Sequence, residues 1–157
     1  ELREAMKSAA RDRGVRIKII TNSKETNDIP ILTVADRYLY ADLMSVNKPG
    51  AKGGIEVYEH HGHRFLSTIH AKFATSDRKR AIVGSYNLDP RSQMLNSETV
   101  LELEDDELVG SLASDFMKKD LANSVLITEQ QAAAFKSPKD ISDELLLTTS
   151  LLLKEQL

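Results

Sequence analysis

The chain has 157 residues, 41% hydrophobic and 29% charged, with a formal net charge of -3; this is enough apolar material for one compact core and excludes a globally basic nucleic-acid binder. Cysteine is absent, which excludes disulfides, thiolate nucleophiles and cysteine metal sites. No apolar run reaches the roughly 20 residues of a membrane-spanning helix, and the charged start Glu1-Leu2-Arg3-Glu4 has neither a signal-peptide pattern nor a Met, so the numbering is expected to begin inside a longer gene product.

Leu2, Ala5, Met6, Ala9 and Ala10 recur at helical spacing, and Gly14 ends that helix. Val15 to Ile20 alternates and then turns wholly apolar, as a strand entering a sheet does. The polar Thr21-Asn22-Ser23 that follows is a loop at that strand's carboxyl end, where ligands gather in open α/β sheets. Pro30 opens a second helix to about Ser45. Pro49, Gly50, Gly53 and Gly54 make the next stretch a loop. Ile55 to Glu59 alternates as a strand, and His60 to Arg64 reads as a polar surface loop. Thr68 to Thr75 is expected to be a strand, Ser76 to Lys79 a turn, and Arg80 to Gly84 its hairpin partner, with Glu98 to Leu103 a further strand. Asp105-Asp106-Glu107 opens a helix to about Asn123, since acidic residues favour a helix amino terminus. After a short apolar segment, Ser124 to Ile127, Thr128 caps a helix through Phe135, and Ile141 to Leu153 is a leucine-rich last helix. The order predicts an α/β domain over 1–157, a mixed β-sheet flanked by helices, with 128–157 as a C-terminal helical extension.

His70 and Lys72 lie two apart on a predicted strand and therefore share a face. An ammonium that neutralises phosphate oxygens beside an imidazole that attacks phosphorus or shuttles a proton suits phosphoryl chemistry. Taken alone, the pair is more often an ordinary surface pair. Ser85 and Asn87, just beyond Gly84, repeat the two-residue spacing and supply a hydroxyl and a carboxamide able to donate to a phosphoryl oxygen. Gly84 permits close backbone approach, although Gly-Ser-Tyr-Asn is also a common turn. Arg78, Lys79, Arg80 and Arg91 bracket the site and read as a basic rim or, equally, as a solvated loop.

His70-Ala71-Lys72-Phe73-Ala74-Thr75-Ser76-Asp77 matches the HxKxxxxD signature of the phospholipase D superfamily, and Gly84 to Ser92 resembles the segment that follows it there. Glu98, within Leu95-Asn96-Ser97-Glu98, sits where that family carries a carboxylate. The weaker likeness runs from Leu2 to about Phe116. The resemblance implies a phospholipase D-like α-β-α sandwich and a site at which two such motifs meet. One histidine attacks phosphorus and forms a phosphohistidine; the other protonates the leaving alcohol and then activates water or an acceptor alcohol. His70 is then one of the pair, the carboxyl-terminal histidine usually being the general acid. Lys72 and Asn87 hold phosphate oxygens with help from Ser85 and Gly84, Glu98 accepts a hydrogen bond from the far nitrogen of His70, and Asp77 is structural, in a turn that Asp favours.

One motif cannot supply both histidines. A second HxKxxxxD motif is expected from a missing amino-terminal half, which the absent Met favours, or from a homodimer mate. Leu88 to Ser92 followed by Leu95 to Glu98 looks more like cardiolipin synthases and bacterial phospholipases D than like single-motif nucleases of the superfamily. The expected substrate is therefore a phospholipid, with a nuclease or a non-catalytic scaffold as alternatives and nucleic acid disfavoured. A bacterial membrane-associated or cytoplasmic setting is expected. His60, His61 and His63 suggest a metal cluster, but no carboxylate or cysteine completes it, so neither metal nor cofactor is expected. Leu145 to Leu147 and Leu151 to Leu153 form an apolar tail that packs on protein or makes peripheral membrane contact. Met44, Met94 and Met117 read as core or rim fillers.

Overall fold

The computed structural model describes residues 1–62, 67–88, 92 and 94–136. In chain order these form α1 (Leu2–Arg13), β1 (Arg16–Asn22), α2 (Pro30–Leu43), a 3-10 turn (Met44–Val46), β2 (Gly54–His60), β3 (Lys72–Ser76), β4 (Arg80–Gly84), β5 (Val100–Glu104), α3 (Asp106–Leu112), a π turn (Ala113–Met117), α4 (Lys118–Ala122), β6 (Ser124–Leu126) and α5 (Glu129–Ala134). The chain is α/β, its strands in two three-stranded sheets with helices against them. It divides into two compact units, 1–68 with 123–136, and Ile69–Ala122. The leucine-rich helix expected over 141–153 lies outside the described residues, as does all of the extension beyond Lys136.

The first unit holds the mixed sheet, in the order β1-β2-β6. β1 and β2 are parallel, in register from Arg16↔Gly54 to Asn22↔His60, and β6 is antiparallel to β2, with Tyr58↔Leu126. α1 turns Ala9 and Ala10 inward and ends at Gly14, whose left-handed φ of 71° favours glycine. Ile55 and Val57 on the central strand are fully buried and join Ala10, Tyr40, Met44, Val46, Ile127 and Ala132 in one core. Phe135 meets Tyr40 edge-on at 6.1 Å. The two-residue period that buries Ile55 and Val57 also buries Glu59, 1% exposed. Its charge is matched by Arg37, which donates from Nε to Oε1 at 2.7 Å and from Nη2 to Oε2 at 2.6 Å, while the Tyr40 hydroxyl adds a bond at 3.3 Å. Burial, with Glu59 next to it, pushes the Tyr40 hydroxyl well above its ordinary pKa.

Two readings change here. β1 continues through Thr21 and Asn22, because β2 runs on to His60 and gives both a partner; the polar loop begins only at Ser23. His60, expected in a surface loop, closes β2 and is 4% exposed. α5 starts as expected at Thr128, in a capping box with Gln131.

The second unit is the antiparallel sheet β3-β4-β5, with Lys72↔Gly84 and Gly84↔Val100 at one end and Ser76↔Arg80 and Arg80↔Glu104 at the other. The β3–β4 turn carries Asp77 and Arg78 at φ of 51° and 59°, as the primed turns of tight hairpins require. The Asp105 side chain caps α3 by accepting from Leu108 N at 2.8 Å. The helix expected to run unbroken to Asn123 is interrupted by the π turn. Arg78 Nη2 reaches over to Gly110 O at 3.4 Å and Ser114 Oγ at 3.2 Å, and Thr75 Oγ1 to Met117 Sδ at 3.2 Å, so the hairpin is tied to that helix by polar contacts.

Candidate active site

The site lies where the second unit's sheet stops pairing. The strand expected over 68–75 starts only at Lys72, since its partner β4 ends at Gly84. His70 therefore sits two residues ahead of β3 rather than on it, and Ser85 to Asn87 peel away on the other side. Between them opens a concavity of about 370 Å³ lined by His70, Lys72, Gly84, Ser85, Asn87, Asn96 and Glu98. Six of these seven residues are those singled out from the sequence.

Gly84 is required by the sheet itself. A Cβ there would meet Thr99 O at 2.2 Å and Val100 Cα at 3.0 Å, so the close backbone approach is that of the neighbouring chain entering β5. Ser85 N–H donates to Thr99 O at 3.0 Å, and Thr99 N–H returns to Ser85 Oγ at the same distance. The hydroxyl thus takes over where the ladder of backbone bonds ends. Its one hydrogen goes to Glu98 Oε2. A hydroxyl has no second hydrogen, so in this arrangement Ser85 orients the carboxylate and can meet a phosphoryl oxygen only by releasing it.

Glu98 stands just before β5, half-buried, with Asn96 Nδ2 donating to Oε1 at 3.2 Å. Hydrogen bonds from Ser85 first and Ser92 next, then from Asn96, together with the field of Lys72, hold its carboxyl below the usual glutamate range. The bond expected from the His70 ring to Glu98 is not made among the described residues; three other donors occupy the carboxylate, and His70 shares the concavity with it. Lys72 Nζ donates to the backbone carbonyl of His70 at 2.8 Å, which among the described residues leaves two of its three hydrogens for a ligand. His70, Ser85, Asn87 and Asn96 are exposed, and Lys72 is half-buried.

Asp77 does not reach the concavity. It lies in the turn at the far end of β4, roughly 13 Å of strand away. The basic rim fails for the same reason. Arg78 and Arg80 are close to His70 in sequence but at the opposite end of the hairpin, where Arg78 binds α3 and Arg80 pairs with Glu104 at 2.7 Å. Arg91 lies outside the described residues. Of the three histidines that suggest a cluster, His60 is buried with Nε2 3.4 Å from Ser67 Oγ, His61 Nδ1 is 3.8 Å from Glu25 Oε2, and His63 is outside the described residues. Met44 is buried as expected, whereas Met94 is 70% exposed.

Sequence reasoning missed Asn96 and Ser92. Asn96 shows a signal in hindsight, being two residues from Glu98 as Ser85 is from Asn87. Ser92 shows none: its hydroxyl is buried and accepts from Asn87 N–H at 3.2 Å, a contact only the fold creates.

Comparison with known proteins finds relatives over most of the chain. Residues 1–120 match the family model described as cardiolipin synthase, PLD-like domain. Cardiolipin synthase B of Salmonella typhi is 38% identical over 127 residues, which cover 76% of this chain and 27% of that protein. Cardiolipin synthase B of Escherichia coli strain K12 is 38% identical over 124 residues, 74% of this chain and 27% of the relative. Cardiolipin synthase C of the same strain is 29% identical over 120 residues, 68% of this chain and 24% of the relative. The chain thus spans about a quarter of the length of these relatives.

Proposed function

Because the chain belongs to the cardiolipin synthase, PLD-like domain family, we propose that the concavity binds the phosphodiester of a phospholipid and that His70 is one of two histidines that transfer or hydrolyse its phosphatidyl group. The observation that carries this reading is the joint placement of His70, Lys72, Asn87 and Glu98 in one concavity of the second unit. In the first step a histidine nitrogen bonds to phosphorus as the bond to the leaving oxygen breaks, and the other histidine gives that oxygen its proton. In the second, water or an acceptor alcohol loses a proton to that same imidazole and displaces the first histidine from phosphorus. Hydrolysis and transfer differ only in the acceptor. His70 is the proton carrier in this scheme, and the attacking histidine comes from a second motif, on another part of a longer chain or on a second copy.

Lys72 supplies the cationic charge facing the phosphoryl oxygens, and the Asn87 carboxamide donates a hydrogen bond there. Glu98, held as an anion in the same concavity, is the carboxylate that orients the ring of His70 in this scheme. The test is turnover of phosphatidylglycerol vesicles and, separately, of DNA by the intact protein. His70→Ala is expected to lower lipid turnover about 10³-fold, and Lys72→Ala chiefly to weaken substrate capture. Cleavage of DNA alone would sink the lipid reading, and near-normal turnover by His70→Ala would remove His70 from the chemistry.

A further inference from the structure

The Glu98 carboxylate is held by two serines wired alike. Ser85 Oγ accepts Thr99 N–H at 3.0 Å and donates to Oε2. Ser92 Oγ, in a residue 4% exposed, accepts Asn87 N–H at 3.2 Å and lies close enough to the Glu98 carboxyl to help hold it ionised. A carboxylate only accepts, so Ser85 gives Glu98 its single hydrogen, and Ser92 can serve it only in the same way. Asn96 Nδ2 is the third donor, at 3.2 Å from Oε1. An ionised carboxyl offers about four lone-pair sites; three donors among the described residues leave about one. His70 and Lys72 are the titratable groups that share the concavity with Glu98, and the Lys72 ammonium is bonded to the His70 carbonyl.

We propose that Ser92 and Asn96 are positioning residues that fix the Glu98 carboxylate and reserve its last open acceptor site for the ring of His70. The proposal rests on the reading of His70 as the reactive imidazole and deepens it. Ser92 does a second thing: by holding Asn87 N–H with the same hydroxyl, it ties the phosphate-facing amide to the carboxylate, so the two are set together. Neither residue touches the reacting phosphorus; both act through Glu98.

The test is an NMR titration of Glu98 and His70 in the intact protein, which needs no substrate. In Asn96→Ala and Ser92→Ala, Glu98 should titrate higher and the His70 imidazolium lower than in the parent, each by about half a pH unit or more. Asn96→Asp sets a like charge against Glu98 and should raise its titration further. Asn96 is exposed, so its variants report even if loss of the buried Ser92 hydroxyl prevents folding. Parent-like titration of both groups in folded Asn96→Ala and Asn96→Asp would overturn the proposal. A parent protein inert toward every phosphodiester would overturn the functional reading instead, and the titration would still decide the positioning role.

Discussion

The two units divide the work of the molecule. The first is built around fully buried Ile55 and Val57, and its buried ion pair, Arg37 with Glu59, is matched on both carboxylate oxygens. The second carries the candidate chemistry on little packing of its own. Its buried apolar side chains among the described residues are Ala81 and Val109, while Ile82, Leu88, Met94, Leu95, Val100, Leu101, Leu108 and Phe116 are each at least 47% exposed. Its order comes from ladder bonds and from a polar web of Ser85, Ser92, Asn96, Arg78 and Asp105. Apolar packing resists disturbance because it is contributed by many weak contacts. A polar web is specific but depends on each member, since every hydroxyl has one hydrogen to give.

If stability and chemistry are separable in this way, substitutions in the two units should have different signatures. Ile55→Ala should cost about 3 kcal/mol of unfolding free energy in denaturant titration and leave turnover per folded molecule unchanged; a matching loss of turnover would break the division. Gly84→Ala should do both kinds of damage. Its new Cβ has Thr99 O in the way, so strand β5 must shift, costing about 2 kcal/mol and lowering turnover about tenfold or more through displacement of Glu98. Thermal melting and lipid turnover on the same preparation check this.

The smallest expected effect is a pH effect in the first unit. Hydrogen bonds from Arg11 first and Ser8 next lower the Asp12 carboxyl from 3.8 to about 2. Its folded pKa lies below the unfolded one, so its contribution is present above pH 3.8 and disappears as pH falls toward about 2. Asp12→Asn should flatten acid unfolding in that window, and both groups are solvent-exposed, so the change is small. A shift in the pH dependence of lipid turnover in this variant would again break the division.

Much of this was legible in the residues. Gly14 marks the end of α1 because a left-handed residue is needed there, and alternation from Ile55 to Glu59 finds the central strand because one face is buried. The His70 to Asp77 signature and the Gly84 to Asn87 segment find most of the concavity. What was not legible depends on where pairing stops. No local preference says that β3 begins at Lys72; that follows from β4 ending at Gly84, and it takes His70 off the strand. The same ignorance of the ladder placed Arg78 and Arg80 beside His70, when the hairpin carries them to its other end. Ser92 was invisible because a buried hydroxyl bridging Asn87 and Glu98 is a product of tertiary placement. The π turn after α3 has no sequence signal that we can identify.

The turn at Asp77 and Arg78 has a consequence for anyone redesigning this hairpin. Two residues with a Cβ are held in the left-handed region, at a cost of about 1 kcal/mol apiece. The obvious idealisation, Asp-Gly, would relax the backbone. It would also delete the guanidinium that Arg78 lays against the Gly110 carbonyl of α3 and the Ser114 hydroxyl of the π turn. The turn is a clasp as well as a bend, and an improvement judged on dihedral angles alone would unfasten the hairpin from its helix.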